Sequence, residues 1–251
     1  MIDAHTHVTS CKDDAGAVLE RARAAGVGQL ITIGSSEREM AEAAALAEAH
    51  DDVWTTAGLH PHHAAEWGDA VAVEIERRAA SPRCVAIGET GLDWFRDRAP
   101  RDAQLAAFHG QLALARRLGL PVVIHCREAT DDCFAILADE APPIVVLHCF
   151  AAVERLDEAV ERGWFCSFAG NVTYGRAVDL QDAARRVPDE LLLLETDAPY
   201  LSPVPHRGRP NEPAYVMDTL RFVAELRGTT PDALAAVVDA AASRAFPRLE
   251  G

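Results

Sequence analysis

Lysine is almost absent from this chain. Of 24 basic residues in 251, Lys12 is the one lysine and the rest are arginine, set against 39 acidic residues for a net charge of −15. Proteins that hold nucleic acid over a wide surface carry a basic face. The overall balance therefore argues against an extended duplex-binding surface, but it leaves room for a local basic site or for metal ions in a cleft. The acidic surplus also serves solubility. No apolar run reaches the roughly 18–20 residues of a membrane span, which excludes a membrane protein. The opening Met1-Ile2-Asp3-Ala4-His5 has no basic stretch followed by an apolar one, so the expected compartment is the cytoplasm. Six cysteines (Cys11, Cys84, Cys126, Cys133, Cys149, Cys166) form no C-x-x-C pair. They read as reduced thiols that pack as small hydrophobes.

What is present is an alternation. Short apolar, β-branched runs recur at Ile2–His7, Gln29–Ile33, Val53–Leu59, Cys84–Glu89, Pro121–His125, Ile144–His148, Trp164–Ser167 and Leu191–Glu195. Several are nearly continuous, as expected of parallel strands covered on both faces. Between them lie Ala/Leu/Glu/Arg-rich helical patterns: Ala15–Ala25, Glu37–His50, Ala70–Ala80, Asp102–Leu118, Thr130–Ala138 and Val153–Arg162. Gly26, Gly119 and Gly163 supply helix-stop signals. A proline-rich loop (Ala198–Pro213) then leads to Ala214–Leu226 and Pro231–Ala245, the latter with Thr230 as N-cap. Ala169–Pro188 is the least regular segment. Eight strand–helix units without a composition break predict an α/β fold, a single (β/α)8 TIM barrel domain over residues 1–251. A doubly wound sheet is the competitor, but no glycine-rich phosphate loop follows the first strand.

In such a barrel, reactive residues gather at the C-terminal ends of the strands. The first run ends His5-Thr6-His7, and residues two apart in a strand share a face. The fourth ends at Glu89, the fifth at His125, the sixth at His148, and the eighth runs into Glu195-Thr196-Asp197. Four histidines and two carboxylates are too many ligands for one tetrahedral ion. They suit two divalent ions sharing a carboxylate, a pair that activates water for hydrolysis. Beyond them, Gly58-Leu59-His60-Pro61-His62-His63 puts three histidines at the rim. Arg127 lies two residues after His125, and His206, Arg207 and Arg209 lie on the loop after the eighth strand. Arginine suits bidentate contact with phosphate. Alternation turns Cys126 and Cys149 away from the neighbouring histidines.

These blocks resemble the TatD family of metal-dependent deoxyribonucleases, within the amidohydrolase-like barrels. The matching stretches are Asp3–His7, Gly58–His62, Ala86–Asp93, Leu120–Arg127, Leu147–Phe150, Leu193–Leu201 and Arg207–Pro213. The resemblance implies that His5, His7 and Asp197 hold one ion, and that Glu89 bridges to a second held by His125 and His148. It makes Asp197 the group that orients or deprotonates the attacking water, and gives Glu89 and Asp197 the catalytic roles. His60, His62, Arg127 and Arg207 are then the substrate contacts. The implied cofactors are two divalent ions, zinc, magnesium or manganese. The implied substrate is a DNA end or another phosphodiester, cleaved by a metal-activated water, most simply in an exonuclease. No membrane and no obligate protein partner is expected. Two stretches depart from the family pattern: Ala242-Ser243-Arg244-Ala245-Phe246, and Ala169–Ala184 beyond Gly170-Asn171-Val172-Thr173. A small-molecule amide, ester or lactone hydrolase is the alternative on the same barrel, with cleavage of aminoacyl-tRNA esters as a variant between the two. The carboxylated-lysine subtype is excluded, because Lys12 lies outside every strand. A non-catalytic metal-binding protein would need a missing ligand, and all six positions are intact.

Overall fold

The computed structural model describes residues 1–250. Eight parallel strands follow in chain order: β1 (Ile2–Thr6), β2 (Gln29–Thr32), β3 (Val53–Ala57), β4 (Cys84–Asp93), β5 (Val122–Arg127), β6 (Val145–Leu147), β7 (Phe165–Phe168) and β8 (Leu192–Leu194). Each pairs with the next. The ring is drawn together where the ends of β1 and β8 meet, with the Asp197 amide donating to the His5 carbonyl (2.9 Å) and the His7 amide to that of Ala198 (2.8 Å). The protein is a (β/α)8 TIM barrel.

Helices α1 (Ala15–Ala25), α2 (Glu37–Ala49), α3 (Asp69–Ala79), α4 (Arg101–Leu118), α5 (Thr130–Glu140), α6 (Leu156–Glu161) and α7 (Val178–Arg186) cover the strands. After β8 come α8 (Val216–Arg227) and α9 (Pro231–Ala245). Helix α1 illustrates why the segments fold as they do. The Asp14 side chain accepts from the amides of Gly16 and Ala17, and Gly26 ends the helix at φ +101°. Val18, Leu19 and Ala22 form its buried stripe, the spacing that brings residues onto one helix face. None of the described helices is long and apolar enough to cross a membrane.

The structure differs from the sequence reading in two places that matter. The fourth strand does not stop at Glu89 but continues to Asp93, pairing Gly91 with His125 and Asp93 with Arg127. Gly91 sits at φ +136°, a conformation side chains rarely adopt, and a Cβ there would collide with the His125 carbonyl. The missing side chain at Gly91 is thus what lets two backbones approach. The second difference is α7, inside the segment that lacked a recognisable pattern. It buries only Ala183 and Ala184, and its charged and polar residues leave it with little apolar sequence to stand out.

Candidate metal centre at the barrel mouth

Glu89, nearly inaccessible within β4, presents its two carboxylate oxygens to two different sets of imidazoles. Oε2 lies 3.5 Å from His5 Nε2 and 3.6 Å from His7 Nε2. The same two nitrogens are 3.8 and 3.5 Å from Asp197 Oδ1 and 3.3 Å from each other. Oε1 lies 2.9 Å from His125 Nδ1, 3.0 Å from His148 Nε2 and 3.3 Å from His60 Nε2. The structure thus brings His5, His7, Glu89, His125, His148 and Asp197 into one cluster, with Glu89 between its halves. His60, assigned in sequence to substrate contact, stands among the second set.

Two of these imidazoles, His148 and His125, are held from behind by carboxylates. His148 Nδ1 is 3.2 Å from Glu195 Oε1, which also accepts from the Cys149 amide at 2.9 Å. Cys149 is held at φ +44°, in the left-handed region that a side chain enters only at a cost. His125 Nε2 is 3.1 Å from Asp93 Oδ2, and His62 Nε2 is 2.9 Å from the same oxygen. Asp93 Oδ1 accepts from the amides of Phe95 and Arg96 at 3.0 and 2.7 Å. A carboxylate on the far ring nitrogen fixes the tautomer and orientation of a metal-ligating histidine. Behind β1, the fully buried Asp3 accepts from Thr196 through its amide and hydroxyl (2.9 and 2.6 Å). This pins the β1–β8 junction.

The electrostatics follow from burial. Burial alone would push the Glu89 carboxyl up, but His148 and His60, with contacts from His125 and His148, hold it well below the usual carboxylate range. Asp197 behaves likewise: burial raises it, and the contact with His7 and the charges of His148 and His5 bring it below its ordinary value. Burial drives His60 down to about 3 and also lowers His5, keeping both imidazoles neutral.

The cluster fits divalent cations. Glu89 Oε2 and His5 Nδ1 are buried without a hydrogen-bond partner, a costly state for a carboxylate oxygen unless a cation satisfies it. His5, His7 and Glu89 offer ligand atoms within 4.8 Å of one another, and so do His60, Glu89 and His125. Imidazoles and ionised carboxylates are the donors that zinc, manganese and similar ions take; His7, His125 and His148, whose neighbouring carboxylates outweigh burial and raise them, would release a proton on binding a cation.

The remaining sequence candidates lie outside this cluster. Arg127 stacks its guanidinium carbon 4.2 Å from the Phe95 ring centre, and Arg207 sits 4.4 Å from that of Tyr174. His62 reaches Asp93 rather than the opening. His63 is exposed and pairs with Glu66 at 3.2 Å. His206 is turned onto α8, 3.0 Å from Asp218 and stacked on Tyr215. Sequence reasoning missed Asp93 and Glu195 as orienting groups. A signal existed for both, since each stands in a motif beside a ligand.

The family pattern described as TatD related DNase matches residues 2–247. The chain is 41% identical to the 3'-5' ssDNA/RNA exonuclease TatD of Pantoea ananatis, over 98% of this chain and 99% of that protein. It is 38% identical to an uncharacterized metal-dependent hydrolase TatD of Mycobacterium tuberculosis, over 98% and 97%. The crystal structure of YjjV, a TatD homolog from Escherichia coli K12, superposes with a TM-score of 0.91 at 31% identity, covering 98% of each chain.

Proposed function

Since the chain belongs to the TatD-related DNase family, a group of metal-dependent hydrolases, we propose that it is a two-metal exonuclease that removes nucleotides from the 3' end of single-stranded nucleic acid. The observation that carries the reading is the division of Glu89: one oxygen toward His5 and His7, the other toward His60, His125 and His148. His5, His7 and Asp197 with Glu89 would hold one ion, and Glu89 with His125 and His148 the second. Such ions, when bound, polarise the phosphate and lower the pKa of water.

The chain's own groups supply the rest. Asp197, ionised at neutral pH, faces the opening beside His7 and accepts the proton of the attacking water at a carboxylate oxygen. Asp93 and Glu195 keep His125 and His148 from rotating. The strand end reaches the cluster from the C-terminal ends of the strands, where Asp197, His60 and His125 keep 12–16% of their side chains accessible. The relatives named 3'-5' ssDNA/RNA exonuclease support the choice of bond, polarity and strandedness.

The test is cleavage of 5'-labelled single-stranded DNA by metal-free protein reconstituted in turn with magnesium, manganese and zinc. Stepwise shortening from the 3' end, absent in Glu89→Gln, is expected. Intact substrate with every metal, from protein that binds its ions, would overturn the nuclease reading in favour of a small ester or amide.

A further inference from the structure

The arginines of this acidic protein fall into two populations. Those on the helical shell and its turns are engaged by carboxylates or backbone carbonyls. Among the described residues, those without such a partner are Arg96, Arg98 and Arg101 after β4, Arg127 at the end of β5, and Arg176, Arg207 and Arg209 after β7 and β8. All of these stand on the face of the barrel that carries the metal-ligand cluster. Aromatic rings accompany them: Trp94 lies under Arg101 (4.5 Å), Phe95 under Arg127, and Tyr174 under Arg207. Phe95 and Tyr200 are 49% and 58% exposed, and the Tyr200 ring is 6.2 Å from that of His7.

On the β7–β8 side this border becomes a cleft of about 750 Å³, within the range of roughly 300–1,000 Å³ typical of ligand sites. Tyr174, Arg176, Leu180, Leu201 and Arg207 are among its lining residues. The Tyr174 hydroxyl donates to the Ser202 carbonyl at 3.0 Å, and the Val204 amide donates to Thr173 Oγ1 at 2.9 Å. The two loops are therefore knitted together and the ring is fixed. Leu201 follows Asp197 by four residues on the same loop, and its neighbour Tyr200 has its ring 6.2 Å from that of His7, so the cleft lies beside the cluster on the same face of the barrel.

Resting on the nuclease reading, we infer that this cleft is a base seat: it takes one unstacked nucleobase of a single strand whose terminal phosphodiester lies at the metal centre. Tyr174 covers one face of the Arg207 guanidinium, and the base stacks on the opposite face, a contact tolerant of sequence. Arg176 at the rim meets the flanking phosphate. A duplex keeps its base faces stacked on one another and cannot fill the seat, so the cleft selects for single strands. Partner-free arginines confined to the mouth also reconcile a phosphate-binding track with a chain of net charge −15.

The test measures binding by fluorescence anisotropy on magnesium-loaded protein. The probe is a ten-nucleotide DNA with a 5' fluorophore and cleavage-resistant phosphorothioate linkages. It is used intact, with the base removed at each of the three 3'-terminal positions in turn, and as a blunt duplex. Arg207→Gln is compared with wild type and with Arg38→Gln, an exposed arginine paired with Glu42 on α2. Removing the base at one position is expected to weaken wild-type binding about tenfold and the Arg207→Gln complex less than about twofold. Arg38→Gln is expected to match wild type, and the duplex to bind more weakly than the single strand. Equal losses in wild type and Arg207→Gln at every position, or unaltered binding by Arg207→Gln, would overturn the base seat and leave the nuclease reading standing. Failure of wild type to bind any of the DNAs would overturn the nuclease reading itself.

Discussion

His125 and His148 each offer two ring nitrogens, and in both rings a buried carboxylate occupies the one that faces away from Glu89. The sequence places ligands at strand ends but cannot assign such partners. Glu195 and Asp197 are two residues apart, and simple alternation would send both to the mouth. Instead Asp197 turns at φ +52°, and Glu195 remains beneath the His148 ring. Asp93→Asn and Glu195→Gln are each expected to weaken metal binding about 10–100-fold, measured by competition with a chromogenic chelator. Unchanged affinity in both would mean that the rings are oriented by packing alone. All six cysteines are free, but only Cys84, Cys133 and Cys166 are buried; Cys84 and Cys166 have thiols pushed up to about 12 by burial, whereas the contact with Cys133 draws half-buried Cys126 below its ordinary value. The thiolates of Cys84 and Cys166 are therefore scarce at pH 8. Iodoacetamide at that pH should leave both unmodified in the native protein and label them after denaturation, as read by mass spectrometry.

Strands and helices were legible wherever burial imposes a period. Helices α1 and α9 begin and end where caps and apolar spacing predict, because both carry a capping side chain at the start. The extension of β4 was not legible, since the apolar run gives out at Glu89 while Gly91 beyond it serves as a close-approach point in the sheet. That extension is what delivers Asp93 to His125. Gly91→Ala is accordingly expected to destabilise the fold by roughly 3 kcal/mol and to disturb the second half of the metal site. Urea denaturation and chelator competition would read the two effects. A variant with wild-type stability would contradict the close packing of β4 on β5.

At the scale of the whole molecule, charge is partitioned. A strongly acidic shell surrounds a mouth where arginines lack carboxylate partners, so overall net charge was a poor guide to the local field. Single-strand binding through roughly three to five phosphates should fall with salt at a log–log slope of about −2 to −3.5. A slope near zero would argue against phosphate contacts at the mouth. The central claim is that Glu89 joins two ion sites, and metal stoichiometry tests it most directly. Reconstituted protein, freed of loosely held ions and analysed by plasma mass spectrometry, should carry two ions per chain in the wild type and at least one fewer in Glu89→Gln. One ion per chain in the wild type, or two retained in Glu89→Gln, would contradict it.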